Sequence, residues 1–308
     1  MEYITLGRTD LQVTAAGLGC GGFSRLGLQK MGLDHAASIV RTAYDEGINF
    51  FDTATVYGTQ SAVGQGLDGI QRDKYVLSTK FTYKNKGPDD LRKSLEESLR
   101  ELRTDYIDIY HIHGVSSADY TFVRDTFVPI MQKLKQEGKI RFIGATEGFA
   151  GDTTHSMFKI LIPENLFDVI MLGYNILNPS AKKTILPLAR EKNLGILNMY
   201  AVRSALANPQ QLKIDIERIL EHGQADPGIV KTDNTLDFIT EKKAANSIME
   251  AAYRFCRHTQ GIHVVLTGTS SAAHLKDNIA SILKPELPKD VLDKLEDMFG
   301  KVDCVSGQ

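Results

Sequence analysis

The chain has 308 residues, 42% of them apolar and 24% charged, with a formal net charge of −2. A chain of this size and composition buries a large core without staples, which excludes a disordered or low-complexity protein. The near-neutral balance gives no basic surface for nucleic acid or an anionic membrane.

Cys20, Cys256 and Cys304 are odd in number and far apart, with no Cys-x-x-Cys pair. That speaks for a reducing compartment and against a disulfide framework or structural zinc. Glu2, Arg8 and Asp10 interrupt the place where a signal peptide has its apolar stretch. No apolar run reaches the roughly 18 residues of a membrane helix. The expected location is the cytoplasm, with no nucleic-acid or membrane partner. The sequence carries no signal for oligomeric state.

In chain order, Tyr3–Thr14 alternates around a turn-like Gly7-Arg8-Thr9-Asp10 and predicts a hairpin. Short apolar runs then predict eight strands: Ala15–Cys20, Phe50–Thr53, Val76–Lys80, Ile107–His113, Ile140–Thr146, Val169–Tyr174, Gly195–Asn198 and Val264–Thr267. Unbroken apolar runs suit parallel strands covered on both faces. Between them, helical spacing marks Asp34–Glu46, with Asp34 as the expected cap, then Gln60–Leu67, Pro88–Leu102, Phe122–Glu137, Thr154–Ile162, Ile185–Lys192, Ala244–His258 and Ala272–Leu283. Eight strands alternating with eight helices predict a (β/α)₈ barrel of the α/β class. A doubly wound sheet is the rival, but Gly17–Gly22 (GLGCGG) lacks the Gly-x-Gly-x-x-Gly spacing and the following helix. No linker divides the chain, so a single domain over 1–308 is expected.

Two long connections, Gly21–Leu33 and Tyr200–Lys243, leave the C-terminal ends of strands, where barrel active sites form. Polar residues end three of the apolar runs: Asp52, Lys80 and His113, with Tyr57 five residues beyond Asp52. In a barrel these ends converge on one mouth. A tyrosine holds its proton at neutral pH, and a nearby ammonium stabilises the phenolate. An aspartate keeps the ammonium charged and placed, and a histidine can orient a substrate oxygen. This set suits proton transfer to a carbonyl oxygen. A metal-dependent hydrolase would need converging ligands. Here His111 and His113 are read as pointing to opposite faces of their strand, which speaks against it.

The run Gly47-Ile48-Asn49-Phe50-Phe51-Asp52-Thr53-Ala54-Thr55-Val56-Tyr57-Gly58 resembles the signature of the aldo-keto reductase superfamily. Lys80 after its strand, His111-Ile112-His113-Gly114, Gly138–Gly144, Tyr174–Leu177 and Gly268–Asn278 follow in the family's order. The resemblance covers Tyr3 to Asn278. It implies a barrel binding an extended nicotinamide dinucleotide across its mouth, NADP ahead of NAD, and acting on a small carbonyl or sugar substrate. It implies Tyr57 as general acid/base, Lys80 and Asp52 as its tuning pair, and His113 as the substrate-orienting residue.

The resemblance also implies cofactor contacts at Gly22, Phe23, Asp52, Thr146, Glu147, Met171, Met199, Tyr200, Gly268, Thr269, Ser270, His274, Asp277 and Asn278. Several positions depart from the family. Thr146-Glu147 stands where Ser-Asn usually holds the carboxamide. Met171 replaces a Gln, and Met199 stands at the ring-stacking place with Tyr200 beside it. Gly268 and His274 stand where a Lys and an Arg meet the 2′-phosphate. Thr269, Ser270 and the first amides of the Ala272 helix offer that anion other donors. Glu147, as a carboxylate near the nicotinamide, would favour the oxidised ring. For substrate, Phe23, Leu26, Val56, Phe81 and Tyr83 are expected to form an apolar wall, with Asn198 and Arg203 as polar contacts. Some members of this family resemble cofactor-binding regulatory subunits with little turnover; the full set of four polar residues favours an enzyme.

Overall fold

A computed structural model describes the chain from Met1 to Gln308. Ten strands form: β1 (Tyr3–Thr5), β2 (Gln12–Thr14), β3 (Ala16–Gly19), β4 (Phe50–Asp52), β5 (Val76–Phe81), β6 (Ile107–Val115), β7 (Ile140–Glu147), β8 (Val169–Gly173), β9 (Gly195–Met199) and β10 (Val264–Thr267). β3 to β10 pair in parallel, and β10 returns to β3, closing an eight-stranded barrel. β1 and β2 form the separate antiparallel hairpin that the alternation before β3 predicts.

Period-two alternation sorts each strand into two layers. Phe51, Leu77, Tyr110 and Ile112 face outward into a large cluster shared with the surrounding helices. Phe50, Val76, Ile109, Val169, Leu197 and Val264 face inward, where Leu6, Leu11 and Val13 of the hairpin region plug the lower end of the barrel. Further up the same inner face come Asp52, Ser78, Lys80, His111 and His113. Residues two apart on a strand share a face, so the expectation that His111 and His113 diverge is wrong. His111 lies within the barrel against Gly144, where an added Cβ would meet its ring at 2.2 Å. No group of three or more His, Cys, Asp or Glu side chains converges as a metal site would require.

The helices fall close to expectation, with instructive differences. The first long helix, Leu33–Asp45, is preceded by Gly32, and Asp34 lies inside its first turn accepting from Gln65 Nε2 at 2.8 Å, so Asp34 is not the cap. The helix before β10 starts at Ile248 rather than Ala244, because Ser247 caps it by accepting from the Glu250 amide at 3.1 Å. The connection after β9 holds three helices: Ser204–Ala207, Pro209–Glu221 and Phe238–Glu241. The middle one begins on Asn208, whose side-chain Oδ1 accepts from the amides of Gln210 and Gln211. A further helix at Lys289–Phe299 packs with this connection in a second cluster around Ile216, Ile219, Leu295 and Phe299. No helix is long and apolar enough to cross a membrane.

Candidate active site

β4 delivers Asp52 to the inner face. The chain then makes one tight turn over Thr55–Tyr57 and ends it at Gly58 with φ +71°, which returns Tyr57 over the barrel mouth. Gly21, after β3, lies flat on the Tyr57 ring; a Cβ there would fall 2.6 Å from it. β6 brings His113 to the other side, with its Nε2 3.3 Å from the Tyr57 hydroxyl and the two rings edge to face. Beneath them Lys80 is wholly buried. It donates to Asp52 Oδ2 at 2.6 Å and to the Thr53 carbonyl at 2.7 Å, and stands 5.0 Å from the centre of the Tyr57 ring. Ser78 donates to the other Asp52 oxygen at 2.8 Å and is bonded in turn by His111 at 3.1 Å. The four expected residues therefore meet at one place.

A buried ammonium is tolerable only when paired. Burial pulls the Lys80 pKa down, but the Asp52 charge, the neighbouring Tyr57 phenol and the hydrogen bond to Asp52 together outweigh it and hold Lys80 above the ordinary lysine value. Burial raises the Tyr57 phenol, and the opposing pull of Lys80 only offsets part of that rise. The phenol thus keeps its proton at neutral pH, and Lys80 limits the rise rather than producing a net depression. Burial, then Lys80, depress His113 to about 3, so its imidazole is neutral.

These residues open onto a cleft of about 770 Å³. Of the expected contacts, Gly22, Phe23, Asp52, Tyr57, His113, Thr146, Glu147, Met171, Met199, Tyr200 and Gly268 line it. Thr146 is fixed by accepting from the Gly114 amide at 2.8 Å. The Glu147 carboxylate does not stand free. It is held by His155 Nδ1 at 3.0 Å and accepts from the Gly173 amide at 2.8 Å. Phe149 stacks on His155 at 5.2 Å and meets the Tyr200 ring edge-on at 5.4 Å.

Thr269, Ser270, His274, Asp277 and Asn278 are not part of the cleft lining. They continue past Gly268 onto the helix Ala272–Leu283, where His274 and Asp277 are exposed. The Thr269 hydroxyl accepts from the Ser271 amide at 3.1 Å, the Ser270 carbonyl meets His35 Nε2 at 2.8 Å, and Asn278 donates to the Thr267 hydroxyl at 2.9 Å. The expected apolar wall is only partly formed. Phe23 is 81% exposed at the rim, but Leu26, Phe81 and Tyr83 are buried in the core. Asn198 is also buried, with its amide donated to the carbonyls of Tyr174 and Met199. Gly21 and the stretch Gly148–Gly151 with Phe149 line the cleft without having been anticipated. Gly21 had a signal in its neighbour Gly22; Phe149 had none, because its place depends on His155 and Tyr200.

The Aldo/keto reductase family matches this sequence over residues 17–298. The chain belongs to that family. L-galactose dehydrogenase of Arabidopsis thaliana is 30% identical over 96% of this chain and 93% of its own length. NADH-specific methylglyoxal reductase of Escherichia coli is 31% identical over 65% of this chain and 67% of its own. An aldo/keto reductase from Klebsiella pneumoniae, solved in complex with NADP and acetate, superposes with a TM-score of 0.72 at 22% identity, covering 97% of this chain and 96% of that one. The holo form of an aldo-keto reductase from Bacillus halodurans gives 0.71 at 23%, covering 96% and 95%. At that identity the two structures speak for the fold.

Proposed function

We propose that this aldo/keto reductase interconverts a carbonyl compound (aldehyde, ketone or sugar) and its alcohol or lactone, using a nicotinamide cofactor and Tyr57 as the proton-transferring residue. The observation that carries the reading is the Tyr57 hydroxyl at 3.3 Å from His113 Nε2, over the buried Lys80–Asp52 pair. The relatives named L-galactose dehydrogenase and methylglyoxal reductase support the substrate class.

The residues fit a dinucleotide. The cleft is of ligand-binding size. A Cβ on Gly268 would fall 2.4 Å from the Gly19 carbonyl oxygen, so side chains are kept out of the groove between β10 and β3. Gly22, Thr146, Met171, Met199 and Tyr200 would hold the nicotinamide half, and Thr269, Ser270, His274, Asp277 and Asn278 the adenosine half. NADP ahead of NAD follows from the sequence resemblance, while the Escherichia coli relative is named as NADH-specific, so both cofactors enter the test. When bound, the nicotinamide supplies or accepts the hydride.

For reduction, His113 donates a hydrogen bond that aims the carbonyl oxygen at Tyr57. Tyr57 gives that oxygen its phenolic proton, and Lys80 stabilises the phenolate left behind. For oxidation, the same phenolate takes the alcohol proton. All four polar groups being in place favours turnover over a purely regulatory role. Three free cysteines support a cytoplasmic setting. The test is nicotinamide absorbance with NADPH and NADH across aldehydes, sugars and their alcohols. Turnover abolished in Tyr57→Phe supports the reading; no turnover with any pair overturns it.

A further inference from the structure

Arg203 is the one Lys or Arg among the residues lining the cleft. The carboxyl groups there have partners: Asp52 is paired with Lys80, and Glu147 is hydrogen-bonded to His155. Arg203 has no such partner, and its Nε–H is buried without an acceptor. Its guanidinium is held by ring faces instead, 3.9 Å from the centre of Tyr200 and 6.0 Å from that of Phe23. Contact through the flat face leaves the in-plane N–H fork free, and that fork matches a carboxylate or phosphate.

Its position relative to the reacting end follows from two adjacent glycines. A Cβ on Gly21 would touch the Tyr57 ring at 2.6 Å, and one on Gly22 would lie 3.4 Å from Arg203 Nη1. Neighbouring Cα atoms are about 3.8 Å apart. The phenol ring and the guanidinium, both lining the cleft, are thus at most about 13 Å apart. The charge on Arg203 also contributes to lowering the Tyr57 pKa against the effect of burial.

We propose that Arg203 determines specificity by binding an oxyanion of the substrate, selecting carbonyl compounds that carry a carboxylate or phosphate a few bonds from the reacting carbon. This rests on the reading of Tyr57 as the proton donor. The shared chemistry is oxyanion recognition, and the phosphates of the cofactor are the other source of an oxyanion. Nearness to Tyr57, where the substrate carbonyl sits, favours the substrate.

The experiment compares wild type with Arg203→Met and Arg203→Lys on matched pairs: glucuronate and glucose, glyceraldehyde 3-phosphate and glyceraldehyde, 4-carboxybenzaldehyde and benzaldehyde. Dissociation constants for NADP and NADPH are measured alongside by fluorescence. The expected result is that Arg203→Met lowers kcat/KM on the anionic member about 10- to 100-fold more than on the neutral one. Arg203→Lys should recover part of the preference, and cofactor affinity should change little. An equal fall on both members with weakened cofactor binding assigns the oxyanion to the cofactor and overturns the substrate assignment. An unchanged preference and unchanged cofactor affinity overturn both. Thermal stabilisation by 4-carboxybenzoate over benzamide is read without turnover. If it depends on Arg203 while no substrate reacts, the anion site stands and the catalytic reading fails; if it does not, the anion site falls.

Discussion

Lys80 donates to Asp52 at 2.6 Å from a wholly buried position, 5.0 Å from the centre of the Tyr57 ring. Lys80 is absent from the cleft lining, whereas Asp52 and Tyr57 are part of it. Its charge therefore acts through the groups above it, Tyr57 and His113, and Asp52 is what makes a buried ammonium stable at that depth.

Lys80→Met should move the basic limb of the oxidation-direction pH profile upward and lower kcat. Burial already raises the Tyr57 phenol, and Lys80 is the main group opposing that rise. Without it the phenolate forms at higher pH still. The variant also leaves Asp52 unpaired, so stability should fall by roughly 3–5 kcal/mol. Pairing the substitution with Asp52→Asn should restore part of the stability without restoring the limb. A basic limb that does not move contradicts the assignment.

His113 gives an acid-side prediction. Its folded pKa is about 3, below an unfolded value near 6.5. Below the unfolded value the unfolded chain binds a proton that the folded chain does not. Stability is thus fully present above about pH 6.5 and is lost as pH falls toward 3, by at most about 1.4 kcal/mol per unit. Urea unfolding of wild type and His113→Asn at pH 7, 5 and 4 should show a shallower acid loss in the variant. Parallel curves would mean that His113 is not held neutral.

Much of this was legible because strands announce themselves by local pattern. Asp52, Lys80 and His113 each close an apolar run, and the run fixes which end of the barrel they reach. What required the structure was contact between distant residues. Glu147 reads as a free carboxylate near the ring, and only the fold shows His155, eight residues on at φ +58°, turned back onto it. Arg203 and Gly22 are neighbours only because the barrel closes. Two helices outside the eight-fold alternation carry local signals of their own. Asn208-Pro209 looks like a loop, but Asn at the cap and Pro at the first turn also start a helix, and Leu212, Ile216 and Ile219 follow on one face. Val291, Leu295 and Met298 repeat that spacing after Pro288.

The Glu147–His155 pair should be structural in its first effect. His155→Leu removes the partner of a fully buried carboxylate, leaving it the Gly173 amide. A loss of roughly 3–5 kcal/mol is expected, with the double variant carrying Glu147→Leu recovering part of it. Thermal unfolding checks this. A single variant as stable as wild type would mean that the pair carries no charge.

His274→Arg should shift preference toward NADP. His274 is exposed at the start of the helix Ala272–Leu283, with its amide accepted by the Ser271 hydroxyl. An arginine there adds a permanent charge and a bidentate fork for a phosphate. The ratio of kcat/KM for NADPH over NADH is the readout, and an unchanged ratio places the 2′-phosphate elsewhere.

Single-turnover kinetics of Tyr57→Phe separate proton transfer by Tyr57 from every other role of its ring. The phenylalanine keeps the ring against Gly21 and His113 and removes only the hydroxyl. The hydride-transfer rate, followed by nicotinamide absorbance, should fall on the order of 10²–10⁴-fold while the cofactor dissociation constant stays within about twofold. A near-normal rate in the variant would mean that Tyr57 does not move the proton.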